Sequence, residues 1–295
     1  MTSPWTIGII GGSGLYAIEG LEDAQWISIN SPWGEPSDQI LCGKIGEVPV
    51  RFLPRHGRGH AHSPNQLNAR ANIDALKRAG CTDILAISAV GSLREEIEPG
   101  RFAVIEQFID HTKGRSDSYF GSGFVCHVSL ADPVCPRLSD LAAKAITAVK
   151  GKLATGATYV TIEGPQFSTR AESRLYRDWG ADVIGMTGMT EARLAREAEL
   201  PYALVGMATD YDSWRANDQW GEEAVDVAQV VEQMQVNSQI ARDMLARFIE
   251  SLPKEREPSP IDTALDDVVM TAPEKHDPAL LAKLDAVARR LLRPE

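Results

Sequence analysis

The chain has 295 residues, 41 of them acidic and 30 basic, for a formal net charge of −11 at pH 7. With no Lys/Arg run, that balance excludes a broad electrostatic grip on nucleic acid, although a few local donors can still hold one small anion. An apolar content of 43% supplies a core sufficient for one large α/β domain or two small ones.

Thr6–Ile10 is apolar, β-branched and followed by glycines, which predicts a buried strand. Gln39–Ile45 and Val48–Leu53 flank Gly46-Glu47 and read as a hairpin. Asn65–Ala79 is helical and stops at Gly80. Asp83–Ala89 is a second buried strand, and Arg101–Ile109 follows Pro99-Gly100 as a third. Leu138–Val149 is an amphipathic helix and Ala157–Gly164 a strand. Thr169-Arg170-Ala171-Glu172 is a capping box that opens a helix to about Asp178. Asp182–Met186 and Tyr202–Asp210 are strands separated by a helix over Glu191–Ala198. Asp226-Val227-Ala228-Gln229 repeats the capping-box pattern and opens a long helix through about Ser251. Its Val227, Val230, Val231 and Met234 share one face. Pro253–Pro260 is a polar, proline-rich linker. Asp277-Pro278 supplies the cap and first residue of a last helix, Ala279–Leu292. There is no internal repeat. Cys42, Cys81, Cys126 and Cys135 form no CxxC pair, the pattern of reduced thiols in a cytoplasmic protein. No apolar run approaches the ~20 residues of a membrane span.

Alternating strands and helices predict an α/β fold with a parallel or mixed sheet covered on both faces. Ligands in such sheets sit beyond the carboxyl ends of the strands. The loops at Gly11, Pro54, Ser88, Thr187 and Asp210 all follow strands and can converge there.

The glycine cluster reads G-x-x-G-G-x-G from Gly8 to Gly14. It is neither a dinucleotide fingerprint nor, lacking a lysine, a Walker A loop. It is a tight turn or an anion seat, with Ser13 adding a hydroxyl. Leu53–Gln66 carries Arg55, His56, Arg58, His60 and His62. The arginine fork matches phosphate oxygens, while the absence of a carboxylate in the loop argues against a metal site. Ile87–Glu96 adds Ser88, Gly91 and Ser92. Thr187 immediately precedes a helix, where free N–H groups favour anions. Asp210 and Asp212 alternate across Tyr211 and share a face if the strand extends that far. They are either a solvated turn or a pair facing a ligand base, where one protonates a leaving group.

The motifs "GIIGGSGL", "RHGRGH", "NIDALKRAGCTDILAISAVGSLREEIEPG", "QFIDHTKGR", "TIEGPQFSTRAESRLYRDWGADVIGMT" and "MATDYDSW" resemble the trimeric purine nucleoside phosphorylase family, in family order, from about Thr6 to Ser251. The resemblance implies a single α/β domain over residues 1–295 with a mixed, mostly buried, partly barrel-like sheet flanked by helices. Its core is 6–251, its linker 253–260 and its C-terminal helical segment 261–295. It implies a homotrimer without metal or cofactor, and with inorganic phosphate as co-substrate. Carried onto matching positions, Ser13, Arg55, His56, Ser88, Ala89 and Thr187 hold phosphate. Met186 lies along the ribose, Phe167 and Ser168 line the base pocket, and Asp210 and Asp212 meet the purine. His60 and His127 reach a neighbouring subunit's site.

The reaction so implied is phosphorolysis of S-methyl-5′-thioadenosine to adenine and 5-methylthioribose 1-phosphate. Asp210 is read as the donor of the proton to N7 and Asp212 as binding the 6-amino and N7 edge, with the choice of proton carrier between the two left open by the sequence. Two carboxylates suit a 6-amino purine, since relatives acting on 6-oxo purines carry asparagine there. "VIGMTGMTE", however, resembles methylthioinosine-using relatives equally, which keeps methylthioinosine or general purine nucleosides as alternative substrates. Val227 and Val231 line the 5′ pocket by resemblance, or pack into the core as ordinary helix valines. Arg215–Glu223 reads as a mobile gate. A nucleotide-binding protein without chemistry is the alternative of a different class.

Overall fold

The apolar strand patterns build one sheet. The computed structural model describes residues 4–12, 14, 15, 18, 20–215 and 227–292. In chain order its elements are β1 (Ile7–Gly11), β2 (Glu22–Ile27), β3 (Ile40–Ile45), β4 (Val48–Pro54), α1 (Ala69–Arg78), β5 (Asp83–Ser92), β6 (Arg101–His111), α2 (Pro136–Ala148), β7 (Lys152–Ile162), α3 (Arg170–Asp178), β8 (Val183–Gly185), α4 (Gly188–Glu197), β9 (Tyr202–Asp210), α5 (Val227–Glu250), α6 (Pro278–Lys283) and α7 (Arg289–Leu292). The strand order is β2-β3-β4-β1-β5-β8-β7-β6-β9, and β9 also pairs with β5. That second pairing closes β5, β8, β7, β6 and β9 into a ring, the barrel-like part of a mixed α/β sheet. β1 runs parallel to both β4 and β5, so Gly11, Pro54 and the middle of β5 end up side by side.

The inner strands are buried on both faces, as parallel strands flanked by helices must be. Along β1, Ile7 and Ile9 enter the layer that includes Leu138 and Ile146 of α2 and Leu245 and Phe248 of α5. Ile10 enters the opposite layer, with Ile73 and Leu76 of α1 and Leu194 of α4. The period of two thus serves two cores at once.

Four elements depart from the sequence reading. Helix α1 starts later than predicted. A 3-10 turn over Pro64–Gln66 comes first, and Asn68 caps α1 by accepting from the Ala71 N–H. β2 is an unpredicted, mostly exposed edge strand of sequence EDAQWI, whose polarity hides it. β7 begins at Lys152 rather than Ala157. The last helix keeps its Asp277 cap but divides into α6 and α7.

The segment 253–260 is mostly exposed but is anchored at its buried Arg256 and Ser259. Arg256 is only 6% exposed. Its Nε lies 2.5 Å from Asp83 Oδ2 and its Nη2 2.6 Å from Asp262 Oδ1. The Trp5 ring lies beside the Arg137 and Arg256 guanidinium groups, and its Nε1 donates to the Pro253 carbonyl at 2.8 Å. Truncating one member of a buried pair leaves the other charge uncompensated. Arg256→Ala is therefore expected to cost about 3 kcal/mol, read as a lower urea midpoint. An unchanged midpoint would show that the segment contributes no anchoring.

Candidate active site

The floor of the site is built on Arg55. The Arg55 N–H donates to the Gly11 carbonyl at 2.8 Å, joining the carboxyl ends of β1 and β4. Its side chain is fully buried. Nε and Nη2 donate to Glu191 Oε1 and Oε2 at 2.5 and 3.0 Å, and Nη1 donates to the Ile87 carbonyl at 2.8 Å. The Tyr202 hydroxyl donates to Glu191 Oε2 at 3.0 Å. Burial opposes the Arg55 charge, but the Glu191 carboxylate outweighs it and holds the guanidinium above its ordinary pKa. The sequence reading aimed the arginine fork at phosphate. In the fold that fork grips Glu191, and three of the guanidinium's five N–H groups are engaged, which leaves two. Glu191 and Tyr202 were missed as site residues. The one local signal is an acid in the first turn of the helix after Thr187, where the helix dipole favours it.

Thr187 is the N-cap of α4 and is buried, and its Oγ1 has no hydrogen-bond partner. The helix start is less open than predicted, because the Met189 N–H donates to Thr161 Oγ1 at 3.1 Å. The buried Tyr159 hydroxyl also lies against the Thr187 and Gly188 amides; burial raises its pKa and those amides oppose the rise. Ser88 and Ala89 lie within β5 rather than in a loop. Together with Gly91 they are half-buried where the rest of the strand is buried, so the strand surface opens at those positions. His56 stacks on the exposed His60 with ring centroids 4.4 Å apart, and its Nδ1 lies 2.9 Å from the His62 carbonyl oxygen. Burial, and next the Arg55 charge, push the His56 pKa down to about 4. Ser13 lies outside the described residues. Among the described residues no group of three or more His, Cys, Asp or Glu is placed to hold a metal ion.

The carboxylates are brought together by a turn, not by an extended strand. β9 ends at Asp210, and Asp212 adopts a positive φ of 50°. The Asp212 N–H donates to Asp210 Oδ1 at 2.7 Å, and the Thr209 hydroxyl donates to Asp210 Oδ2 at 2.7 Å. Asp212 is buried and its Oδ2 has no hydrogen-bond partner. Burial raises the Asp210 pKa, with the Thr209 hydroxyl and the Asp212 amide opposing. Burial pushes Asp212 up to about 6, and the Asp210 charge adds to the rise. The Ser173 and Ser168 hydroxyls oppose it, yet both are buried without a hydrogen-bond partner. They therefore stand near the carboxylate without a formed hydrogen bond to it. Ser173 is another residue the sequence reading missed.

A Cβ on Gly91 would sit 3.1 Å from Asp210 Oδ1 and 3.2 Å from Asp212 Cβ. The acids therefore overlie β5 three residues past Ser88, a separation of ~10 Å along the strand. Met186 packs against Gly164 and joins the apolar cluster of Ile184, Tyr176 and Trp214. Phe167 is exposed beside the buried Ser168. A cavity of about 330 Å³ opens beside the Arg55–Glu191 pair, walled by Thr187, Thr190, Glu191, Asn68 and Arg115; Asp210 and Asp212 do not line it.

Helix α5 ties both ends together. Asn237 Nδ2 donates to the Ala208 carbonyl at 3.0 Å, and Arg242 Nη1 to the Gly14 carbonyl at 2.5 Å. Val227 is 62% and Val231 42% exposed, which corrects the core-stripe alternative for both. Residues 216–223 of the expected gate lie outside the described residues. His127 is exposed, and its amide donates to the Val268 carbonyl at 3.1 Å.

A family model for the phosphorylase superfamily matches residues 6–250. A Cereibacter sphaeroides protein named S-methyl-5′-thioadenosine phosphorylase is 55% identical over 289 residues, covering 97% of this chain and 98% of the relative. The crystal structure of a methylthioadenosine phosphorylase from an antarctic soil metagenomic library superposes with a TM-score of 0.87 at 41% identity, covering 96% of this chain and 99% of that one. A methylthioadenosine phosphorylase from Schistosoma mansoni in complex with adenine gives a TM-score of 0.78 at 36% identity over 83% of this chain and 91% of its own.

The buried Arg55–Glu191 pair makes a direct prediction. Glu191→Leu strands the guanidinium and is expected to cost about 3–5 kcal/mol, whereas Glu191→Gln keeps an acceptor and loses less. Equilibrium urea denaturation compares the two. Equal small losses would mean that Arg55 finds another counter-charge.

Proposed function

The chain belongs to the phosphorylase superfamily, and from that premise we propose that it cleaves S-methyl-5′-thioadenosine with inorganic phosphate, releasing adenine and 5-methylthioribose 1-phosphate. The observation that carries this reading is the carboxylate pair of half-buried Asp210 and buried Asp212, opposite the donors around Arg55, in a chain 55% identical over nearly its whole length to a named methylthioadenosine phosphorylase.

In this mechanism the C1′–N9 bond lengthens first and positive charge grows on the ribose. Phosphate, held by Thr187, Ser88, Ala89, His56 and the remaining Arg55 N–H groups, with Ser13 completing the set, stabilises that charge and captures C1′. The bond formed is C1′–O and the bond broken is C1′–N9. The proton lost by hydrogen phosphate is balanced by the one that adenine gains. Met186 lies along the sugar, Phe167 and Ser168 flank the base, and Val227 and Val231 cover the methylthio end. His60 and His127 serve a neighbouring subunit of a homotrimer. A cytoplasmic setting accords with four free cysteines; no helix among the described residues is long and apolar enough to cross a membrane.

Adenine is a poor anionic leaving group, so N7 takes a proton from the acid pair. Both oxygens of Asp210 already accept hydrogen bonds, while Asp212 keeps one bare oxygen and has its pKa near 6. This favours Asp212 as the proton holder of the free enzyme, in place of Asp210, with the pair titrating as a unit. Asp210 then accepts from the 6-amino edge.

An acid catalyst acts in its protonated form, which is present below about pH 6 and is lost as pH rises through that value. At saturating phosphate, kcat/KM for methylthioadenosine is expected to decline above about pH 6, and Asp212→Asn to remove that limb. The same substitution should lower kcat/KM by roughly 10²–10⁴-fold while the phosphate KM stays within a few-fold. Wild-type turnover by Asp212→Asn would end the acid role, and cleavage without phosphate would end the phosphorylase reading.

A further inference from the structure

The His56 ring meets a main-chain carbonyl. That oxygen can only accept, so the 2.9 Å contact from Nδ1 to the His62 carbonyl requires the proton on Nδ1. A neutral imidazole carries one N–H, so its Nε2 is then a lone pair. The groups facing the ring are Arg55, His60 and His62, and burial together with their charges keeps it neutral at pH 7. Among the described residues Nε2 has no hydrogen-bond donor of its own.

The neighbouring arginine leaves this acceptor unscreened. Glu191 takes two N–H groups of Arg55 and matches its charge, so the pair presents no surplus positive charge. The other donors on this side, Thr187 and Ser88, are neutral hydroxyls. An anion that enters such a site is recognised by matching each hydrogen bond and not by bulk attraction.

We propose that the His62 carbonyl fixes His56 as an acceptor toward the anion, so that the site selects an oxyanion bearing a proton, such as hydrogen phosphate or arsenate, over an unprotonated one such as sulfate. This rests on the anion reading given above. Hydrogen phosphate offers a P–OH to Nε2 and unprotonated oxygens to the hydroxyls. Sulfate, of the same shape and charge, turns a lone pair toward a lone pair. The His62 main chain is thereby a positioning element that acts through the tautomer of His56.

Steady-state cleavage of methylthioadenosine tests this with phosphate or arsenate as co-substrate and sulfate as competitive inhibitor. In the wild-type chain phosphate and arsenate should show similar KM values, with the sulfate inhibition constant at least about tenfold higher, the cost of one mismatched hydrogen bond. In His56→Asn, whose amide can turn an N–H to the anion, that ratio should shrink to about threefold or less as sulfate gains and phosphate loses. Nitrogen NMR of histidine-labelled wild-type protein should report His56 as neutral with its proton on Nδ1 at pH 7. Sulfate binding as tightly as phosphate, an unchanged ratio in His56→Asn, or an Nε2–H ring each overturns the proposal while leaving phosphorolysis intact. A chain that uses neither phosphate nor arsenate overturns both this proposal and the anion reading beneath it.

Discussion

The buried Arg55–Glu191 pair is the constraint on which the rest of the site depends. It joins the end of β4 to the first turn of α4, reaches β5 through the Ile87 carbonyl and β9 through the Tyr202 hydroxyl. Replacing a buried ion pair with apolar side chains of similar volume is often neutral for stability, so stability alone gives little reason to keep one here. Position and electrostatics give more. An uncompensated guanidinium favours the ionised form of carboxyl groups near it. With Glu191 in its fork, Arg55 supplies N–H donors to one end of the cleft without ionising the acids at the other.

The acid pair has its own geometric cost. Asp212 sits in the left-handed region, which non-glycine side chains seldom adopt, although aspartate tolerates it better than most. The turn places the Asp212 amide on Asp210 and buries the Asp212 carboxyl beside Ser168 and Ser173. Gly91 makes the arrangement possible, because any side chain at that position would press on both acids and on Ile184. The turn follows β9 and the missing side chain lies on β5, and the parallel pairing of the two strands holds them in step.

Wherever a local pattern settles the outcome, the sequence is legible. β1 and β9 follow from unbroken apolar runs, the hairpin from Gly46, and α3 from a capping box that the fold realises in both directions. The polar edge strand β2 carries no such signal, since nothing packs on either of its faces strongly enough to impose alternation. Partner choice among charges is likewise hidden. Arg55 and Arg256 read as anion ligand and linker residue, yet each pairs with a carboxylate 136 or 173 positions away. Such pairings are decided by topology. The candidate positions at Thr187, Ser88, Asp210 and Asp212 are legible from the ends of apolar strand runs and from motif resemblance, whereas Ser173, Tyr202 and Glu191 needed the fold.

The exposed valines on α5 complete the energetics of the proposed reaction. The body of the helix is pinned through Arg242 to Gly14 and through Asn237 to Ala208, on the proposed anion and base sides respectively. Val227 and Val231 nevertheless remain in water, where an apolar 5′ substituent would bury them at roughly 25 cal/mol per Å². That gain arises far from the bond that breaks. A rigid helix transmits it as orientation, holding the sugar between anion and acids, so binding energy from the unreactive end of the substrate is used where charge develops. A hydroxyl at the same position would keep its attraction to water and supply less of that energy. On this reading, preference for a methylthio group and rate of cleavage are set by the same contacts.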